Sequence, residues 1–340
     1  MILVTGGTGL IGSHLLYSLT RKEDKIRAIY RSEKSIEKTK LVFKSYGATE
    51  QLSQVEWIKA DLLDYFSLKD AFKGVDYVYH AAAMVSFDSK LAKQLVEVNI
   101  EGTENIVNLS LEFNIKKLCY VSSVASLGEY PNGKCTDEDA PWQNSKSTST
   151  YSISKYFAEN EVWRASQEGL PVVIVNPATI LGFGNWEGSS LKIIKRVHDG
   201  LSFYTSGKNG FVGVSDVVKV MQQLMESEII NERFLLVAEN MSFKLLFEKL
   251  AKALKVNPPK KKANYFLAKL LKNLDQFRAK LTGKTAVLTS QSIRTAFTSK
   301  CYDSAKIKRE LSFNYESIDE TIEKSATLYL NHKTELARLS

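Results

Sequence analysis

Three glycines at a fixed stride near the start of the chain constrain its fold more than any other feature. Residues 3–12 read Leu-Val-Thr-Gly-Gly-Thr-Gly-Leu-Ile-Gly, which puts Gly6, Gly9 and Gly12 behind an apolar run and at the mouth of an amphipathic one. The run 1–5 has the pattern of a buried strand, and Ile11, Leu15, Leu16 and Leu19 form one stripe of a helix expected over roughly 10–22. A tight turn needs a residue that tolerates positive φ. Close approach of the backbone to a phosphate needs a missing side chain, and packing of the helix on the sheet needs another. The helix then turns unpaired N–H groups and its positive dipole end toward the turn. Together these predict a pocket for a dinucleotide pyrophosphate, bounded by Thr5, Gly6, Gly9, Leu10, Ile11 and Gly12.

Strand-like runs recur at 1–5, 26–30, 55–59, 75–79, 116–121 and 171–176, with helical patterns between them, notably over 90–113 and 151–169. Such alternation predicts an α/β chain with a Rossmann-type, doubly wound parallel sheet. We expect this domain to occupy 1–176. A smaller, mostly helical C-terminal lobe over 177–340 would bind substrate across the carboxyl ends of the strands. Short apolar pieces lie at 210–214 and 233–238, and the segment 210–220 is expected to return to the first domain.

Net charge is +8, which at first suggests a nucleic-acid partner, but its location argues against one. The window 255–284 carries nine basic residues and one acid, Asp275, so the rest of the chain sums to zero. No basic face spreads over the nucleotide-binding domain. The window reads as a Pro-broken basic loop followed by a helix with Leu267, Leu270, Leu271, Leu274, Phe277 and Leu281 on one side. The expected reading is a surface helix packed on its own domain. The lesser one is contact with a membrane surface through 260–281. Cys119, Cys135 and Cys301 are scattered and suggest neither a disulfide framework nor a metal site, and the four histidines are dispersed. The absence of a long apolar run and of a leader-like start predicts a cytoplasmic protein.

After the second strand, Arg31 stands where an NAD site usually carries an acid for the ribose hydroxyls. An arginine fork suits a 2′-phosphate, which an acid would repel, so NADP(H) is expected and NAD(H) is the alternative. Asp61 and Leu62 sit where an adenine contact would fall, and His80-Ala81-Ala82-Ala83 offers small side chains where a cofactor lies on backbone. Tyr151 and Lys155 are four apart in a helical run and so share a face, where the ammonium would lower the phenol's pKa. Ser123, at the end of a strand, can hydrogen-bond a substrate oxygen while Tyr151 moves its proton.

With these residues in place the chain resembles the extended short-chain dehydrogenase/reductases, also described as the NAD-dependent epimerase/dehydratase superfamily. The resemblance runs from the glycine turn through Asp61, His80–Ala83, Asn99, Ser122-Ser123 and Tyr151/Lys155. It continues through Asn176-Pro177, Phe211-Val-Gly-Val-Ser-Asp and Tyr302-Asp-Ser-Ala-Lys. It implies NAD(P)-dependent redox chemistry with Ser123, Tyr151 and Lys155 as the catalytic set. It also implies that Lys155 holds the nicotinamide ribose, that Asn99 orders the helix and loop near the cofactor, and that Ser122 and Pro177 touch it.

Departures from the family narrow the activity. Dehydratases of the family carry two acids after the catalytic hydroxyl; here Val124 and Ala125 stand there. Nucleotide-sugar enzymes commonly have an arginine two before Phe211, where this chain has Asn209. Asn176-Pro177 is similar to the dihydroflavonol-4-reductase and 3β-hydroxysteroid-dehydrogenase branch. The expected pocket is apolar and aromatic, lined by Ser86, Phe87, Phe183, Trp186, Phe203 and Tyr204. The expectation is therefore an NADP(H)-dependent oxidoreductase that reduces a ketone or aldehyde of a non-nucleotide small molecule. The alternative is a nucleotide-sugar epimerase that retains NAD. A non-catalytic NADP-binding sensor or scaffold ranks last, because Tyr151 and Lys155 are both present. No nucleic acid or metal is expected, and a homodimer is left open.

Overall fold

A computed structural model of the chain describes all residues except 23, 24, 87, 146, 147, 189, 267, 271, 273–288 and 340, with the backbone alone for 336–339. The first half alternates as the hydrophobic pattern dictates. Its elements are β1 (Ile2–Thr5), α1 (Leu10–Leu19), β2 (Ile26–Tyr30), α2 (Glu33–Ser45), β3 (Val55–Lys59), α3 (Tyr65–Phe72), β4 (Tyr77–His80), α4 (Ala92–Glu112), β5 (Lys117–Val121), α5 (Thr150–Gln167) and β6 (Val172–Pro177). The second half holds β7 (Thr179–Leu181), α6 (Lys192–His198), β8 (Phe203–Tyr204), β9 (Lys208–Gly213), α7 (Val214–Glu226), β10 (Glu232–Leu236), β11 (Glu239–Ser242) and α8 (Phe243–Ala253). It ends with β12 (Lys261–Lys262), α9 (Ser290–Phe297), α10 (Ala305–Leu311) and α11 (Ile318–Leu339).

Seven parallel strands form one sheet in the order β10-β6-β5-β4-β1-β2-β3. The strand order reverses between β1 and β4, and that switch point opens a crevice at the carboxyl ends of the strands. Helices cover both faces. Leu15, Leu16 and Leu19 of α1, Phe43 of α2 and Val217, Val220, Met221 and Leu224 of α7 bury one side of the sheet. Leu68 and Phe72 of α3, Ile106 and Val107 of α4 and Ala158 and Val162 of α5 bury the other. The apolar piece expected at 233–238 is the seventh strand, β10, paired with β6 and thus part of the main sheet.

The lobe has its own core, built from Leu181, Ile194, Val197, Phe211, Leu246, Leu250, Ile318, Ile322 and Tyr329. It reaches the nucleotide-binding half through Val42 of α2, Leu10 of α1 and Phe183. A three-stranded sheet, β11-β9-β7, and the short parallel pair β12-β8 complete it. Among the described residues no helix is long and apolar enough to cross a membrane.

One expectation is corrected here. Cys135 and Cys301, read above as unrelated, form a disulfide with Cα atoms 4.7 Å apart. The fold brings them together because Thr136 bridges Tyr302 beside them, a long-range pairing with no signature in the spacing of the cysteines. Cys119 is free and buried.

Two buried histidines are held neutral. His14 Nε2 donates to Phe183 O and its Nδ1 accepts from the Tyr46 hydroxyl, both at 2.8 Å. Burial lowers its pKa to about 4, and that of His80 to about 3, with Lys155 adding to the effect at His80. Unfolded histidines titrate near 6.5, so below that pH the unfolded chain binds protons that the folded chain refuses. Stability should therefore fall as pH drops from about 6.5 toward 4, by up to about 1.4 kcal/mol per pH unit for each histidine. Chemical denaturation of wild type and His14→Gln across pH 4–7 checks this: the variant should lose part of the acid slope even where its stability at pH 7 is lower.

Candidate active site

The glycine turn lies at the switch point, and each of its three glycines is required for a different reason. Gly6 has φ +71, and a Cβ there would lie 2.6 Å from Ala82 N. A Cβ on Gly12 would lie 2.1 Å from Gly6 O, inside the turn's own backbone. Gly9 differs, because a Cβ there would meet only Gly6 O, at 3.2 Å, and otherwise open space. Gly9 caps α1 without a side-chain bond, and the first turn of α1 carries no acid. The N–H groups of Leu10, Ile11 and Gly12 therefore have no acceptor within the helix, and the bare face of Gly9 lets a phosphate approach them. This cradle, which a side chain would fill, fits a dinucleotide pyrophosphate.

Of the flanking residues expected around a cofactor, Ala81 and Ala82 lie against the glycine turn. Ala81 N donates to Thr5 O and Ala82 N to Thr5 Oγ1, each at 3.3 Å, so the 81–83 run lies against the turn. Asp61 closes its own turn by accepting from Leu63 N at 3.0 Å, and Asn105 Nδ2 donates to Leu62 O at 2.8 Å. Arg31 is exposed at the end of β2. Beyond it, Ser32, Lys34, Ser35, Glu37, Lys38, Leu41 and Asn185 line a cavity of about 460 Å³.

Helix α5 begins at Ser149, whose side chain accepts from Ser152 N. Its helical spacing aligns Tyr151, Lys155 and Glu159 on one face. The Ser123 hydroxyl at the end of β5 hydrogen-bonds the Tyr151 phenol. Two hydroxyls from distant parts of the sequence thus meet at the mouth of the crevice. Ser123 is itself fixed: Ala125 N donates to its Oγ at 3.1 Å, and Asn176 Nδ2 and Ser126 Oγ donate to its carbonyl at 3.2 and 2.8 Å.

Lys155 engages β5 through its ammonium. It is 1% exposed, and its Nζ donates to the Tyr120 hydroxyl at 2.7 Å and to Val121 O at 2.8 Å. The four-carbon stem carries the charge past the phenol and down to β5. Burial lowers the lysine's pKa to about 7, against the pull of Glu159, which raises it. Burial also raises the Tyr151 pKa, with Ser123 opposing, so the expected depression of the phenol is not what this arrangement produces.

Beneath Lys155 runs a buried polar ladder that sequence reasoning missed apart from its ends. Ala82 N donates to Thr5 Oγ1, Thr5 pairs with His80 Nδ1 at 2.6 Å, and His80 Nε2 pairs with Thr103 Oγ1 at 3.1 Å. Thr103 donates to Asn99 O at 2.6 Å, and Thr103 also bonds the Tyr120 hydroxyl. One proton arrangement satisfies every member: neutral His80 with its proton on Nε2, Thr5 donating to Nδ1, and Tyr120 donating to Thr103 while accepting from Lys155. Asn99, expected to order this region, accepts from Met84 N at 2.7 Å and donates to Ser154 Oγ at 2.9 Å, which ties the loop after β4 to α5. A tyrosine inside an apolar strand gives no sequence signal of such a role; only the register of β5 beneath α5 reveals it.

Several expected contacts are reassigned by packing. The Ser122 hydroxyl points into a buried cluster, donating to Glu159 at 2.5 Å, where Ser126, Asn176 and Arg233 also converge. Pro177 ends β6 beside that cluster. Phe183 packs in a T-shape on His14, with centroids 4.5 Å apart, and Trp186 on Tyr329 at 5.0 Å; both are core side chains of the lobe rather than an open pocket wall. Their apolar character reflects the lobe's own packing. Ser86 accepts from Asp88 N at 3.1 Å, Tyr204 is half-buried on β8, and Phe87 lies outside the described residues. Among the described residues no cluster of metal-ligating side chains occurs.

The fold and site define an NAD(P)-binding enzyme of the short-chain dehydrogenase/reductase class. The NAD dependent epimerase/dehydratase family model matches residues 2–236, and the chain belongs to this family. Curated relatives include the sterol demethylase protein B of Methylococcus capsulatus, 30% identical over 70% of both chains. They also include a putative dihydroflavonol 4-reductase of Synechocystis, 25% identical over 97% of this chain and 94% of that one. Cinnamoyl-CoA reductase 1 of Petunia hybrida is 30% identical over 69% of this chain and 72% of its own. Among solved structures, gox2253 superposes with a TM-score of 0.79 at 26% identity, covering 98% of each chain. The UDP-glucose 4-epimerase of Thermotoga maritima shares the fold, with a TM-score of 0.75 at 19% identity. These relatives are consistent with the dihydroflavonol-reductase-like branch of the family.

Tyr120 is a positioning residue in this geometry, and Tyr120→Phe isolates its hydroxyl. Losing one acceptor destabilises the Lys155 ammonium, since hydrogen bonds to charged groups contribute about 1.5–3 kcal/mol. Glu159 and His80 also face the lysine and are unchanged by the substitution. The basic limb of the pH–kcat profile should move down by about one pH unit, with kcat reduced about tenfold near pH 8. A profile that keeps its wild-type inflection, whatever the change in Tm, would show that the hydroxyl serves packing alone.

Proposed function

We propose that the protein is an NADPH-dependent reductase of a ketone or aldehyde carried by a non-nucleotide small molecule. The observation that carries this reading is the Ser123–Tyr151 hydroxyl pair at the switch-point crevice, with the Lys155 cation buried behind it. When bound, NADPH supplies the hydride that the carbonyl carbon accepts. Ser123 holds the carbonyl oxygen by a hydrogen bond. Tyr151 gives its phenolic proton to that oxygen as negative charge develops there, and the carbonyl becomes an alcohol. With its pKa raised by burial, Tyr151 carries its proton at neutral pH. The Lys155 ammonium, held below by Tyr120 and Val121 O, stabilises the phenolate left behind.

The preference for NADPH rests on Arg31, with Lys34 and Lys38 beside the cavity past β2. A cationic rim there suits a 2′-phosphate, although Glu37 also faces it. Non-nucleotide substrates are favoured because Asn209, standing where an arginine would bind a diphosphate, is committed to Thr179 through its Nδ2 at 2.9 Å. Reductases among the relatives point the same way. The cytoplasm remains our proposed location, and there the Cys135–Cys301 pair would face a reducing pool.

Calorimetric titration with NADPH and NADH, followed by a carbonyl panel with the tighter cofactor, tests this. NADPH should bind at least tenfold more tightly than NADH, and Arg31→Ala should erase most of that ratio. Tyr151→Phe should lower kcat by about a thousandfold or more while NADPH affinity stays within about threefold. Full turnover in Tyr151→Phe would overturn the mechanism; a tightly retained NAD with no net consumption of added NADPH would establish the epimerase reading instead.

A further inference from the structure

Part of the chain's excess positive charge lies outside the residues assigned to the active site, in the described residues of 255–272, which also carry exposed apolar side chains. Phe266 is 80% exposed, Leu270 57%, Tyr265 48% and Phe203 39%. Leu270, expected to pack on the lobe, faces solvent; the remaining leucines and the phenylalanine of that stripe lie outside the described residues. Lys260, Lys261, Lys262 and Lys269 flank Tyr265, Phe266 and Leu270 in the chain, are exposed, and make no ion pair among the described residues. Lys244, paired with Glu248 at 3.7 Å, stands 5.5 Å over the Tyr204 ring at the same edge. The patch is anchored as well as exposed. Strand β12 pairs with β8, setting Lys261 opposite Phe203 and Lys262 opposite Tyr204, and Tyr265 packs edge-on against Phe297 with centroids 5.4 Å apart.

We infer that this surface docks on an anionic lipid bilayer. Lysines with exposed aromatic and aliphatic neighbours match the layered chemistry of a membrane interface, where the charges meet headgroups and Phe266 and Leu270 enter the acyl boundary. A nucleic acid would satisfy the lysines and leave Phe266 and Leu270 against water. The inference deepens the proposed function and rests on it in one respect: Tyr204 belongs to the expected substrate pocket. Docking through β12 brings the β8 edge of that pocket to the bilayer. The substrate class is then an apolar carbonyl compound dissolved in lipid.

Sedimentation of the full chain with vesicles tests the docking. The vesicles are phosphatidylcholine alone, or phosphatidylcholine with 30% phosphatidylglycerol, in low or high salt. The protein should pellet with the anionic vesicles in low salt, and at least tenfold less with neutral vesicles or in high salt. Phe266→Ser/Leu270→Ser, and separately Lys260→Ser/Lys261→Ser/Lys262→Ser, should each reduce pelleting at least tenfold. Both variants should keep wild-type NADPH binding and wild-type reduction of a water-soluble aldehyde. Absence of wild-type pelleting with anionic vesicles overturns the docking, as does pelleting unchanged by Phe266→Ser/Leu270→Ser or matched by equally tight binding to duplex DNA. Reduction of the soluble aldehyde is scored on its own. Its failure in the wild-type protein counts against the reductase reading, while pelleting alone decides the docking.

Discussion

A lysine buried to 1% exposure between a helix and the central sheet is the constraint around which this site is arranged. A charge in that position is costly unless its donors are satisfied and counter-charge lies near. Val121 O and the Tyr120 hydroxyl supply acceptors, and Glu159, two turns of the same helix from Tyr151, supplies the charge. Each partner then needs its own support. Tyr120 bonds Thr103, Thr103 bonds His80 and Asn99, and His80 bonds Thr5 at the edge of the glycine turn. Lys155 and the glycine turn are therefore joined into one unit by a chain of hydrogen bonds.

That unit also explains why the phenol behaves unlike the expectation from spacing. Helical periodicity correctly places Tyr151 and Lys155 on one face, but a shared face fixes only where the two stems begin. The lysine extends to β5 and meets acceptors there, while burial raises the Tyr151 pKa against the opposing hydrogen bond of Ser123. What the lysine touches is thus set by a side-chain reach that sequence spacing does not encode.

What the chain discloses in one dimension is what depends on local rules. The glycine stride, the strand runs and the helix periods each follow from short-range sterics and amphipathic pattern, and the strands lie where those rules put them. Residues whose roles arise from long-range pairing are silent. Tyr120 looks like one more apolar strand residue until β5 lies under α5. Cys135 and Cys301 look unrelated until Thr136 meets Tyr302. Phe183 and Trp186 illustrate the converse error: aromatic residues after the sixth strand suggest a pocket wall, yet the lobe needs them as core against His14 and Tyr329.

The lobe shows the same division in its charge. Composition alone located the whole net charge in one window, but it could not say whether the apolar residues interleaved with that charge would be buried. Packing decides it at the described positions: the lobe's core is built from α6, α8, α11 and the strands, and Phe266 and Leu270 stand exposed outside it. Apolar side chains that a fold leaves outside, flanked in the chain by cations and tied by β-pairing to Phe203 and Tyr204, join the question of what the surface meets to the question of what the pocket admits.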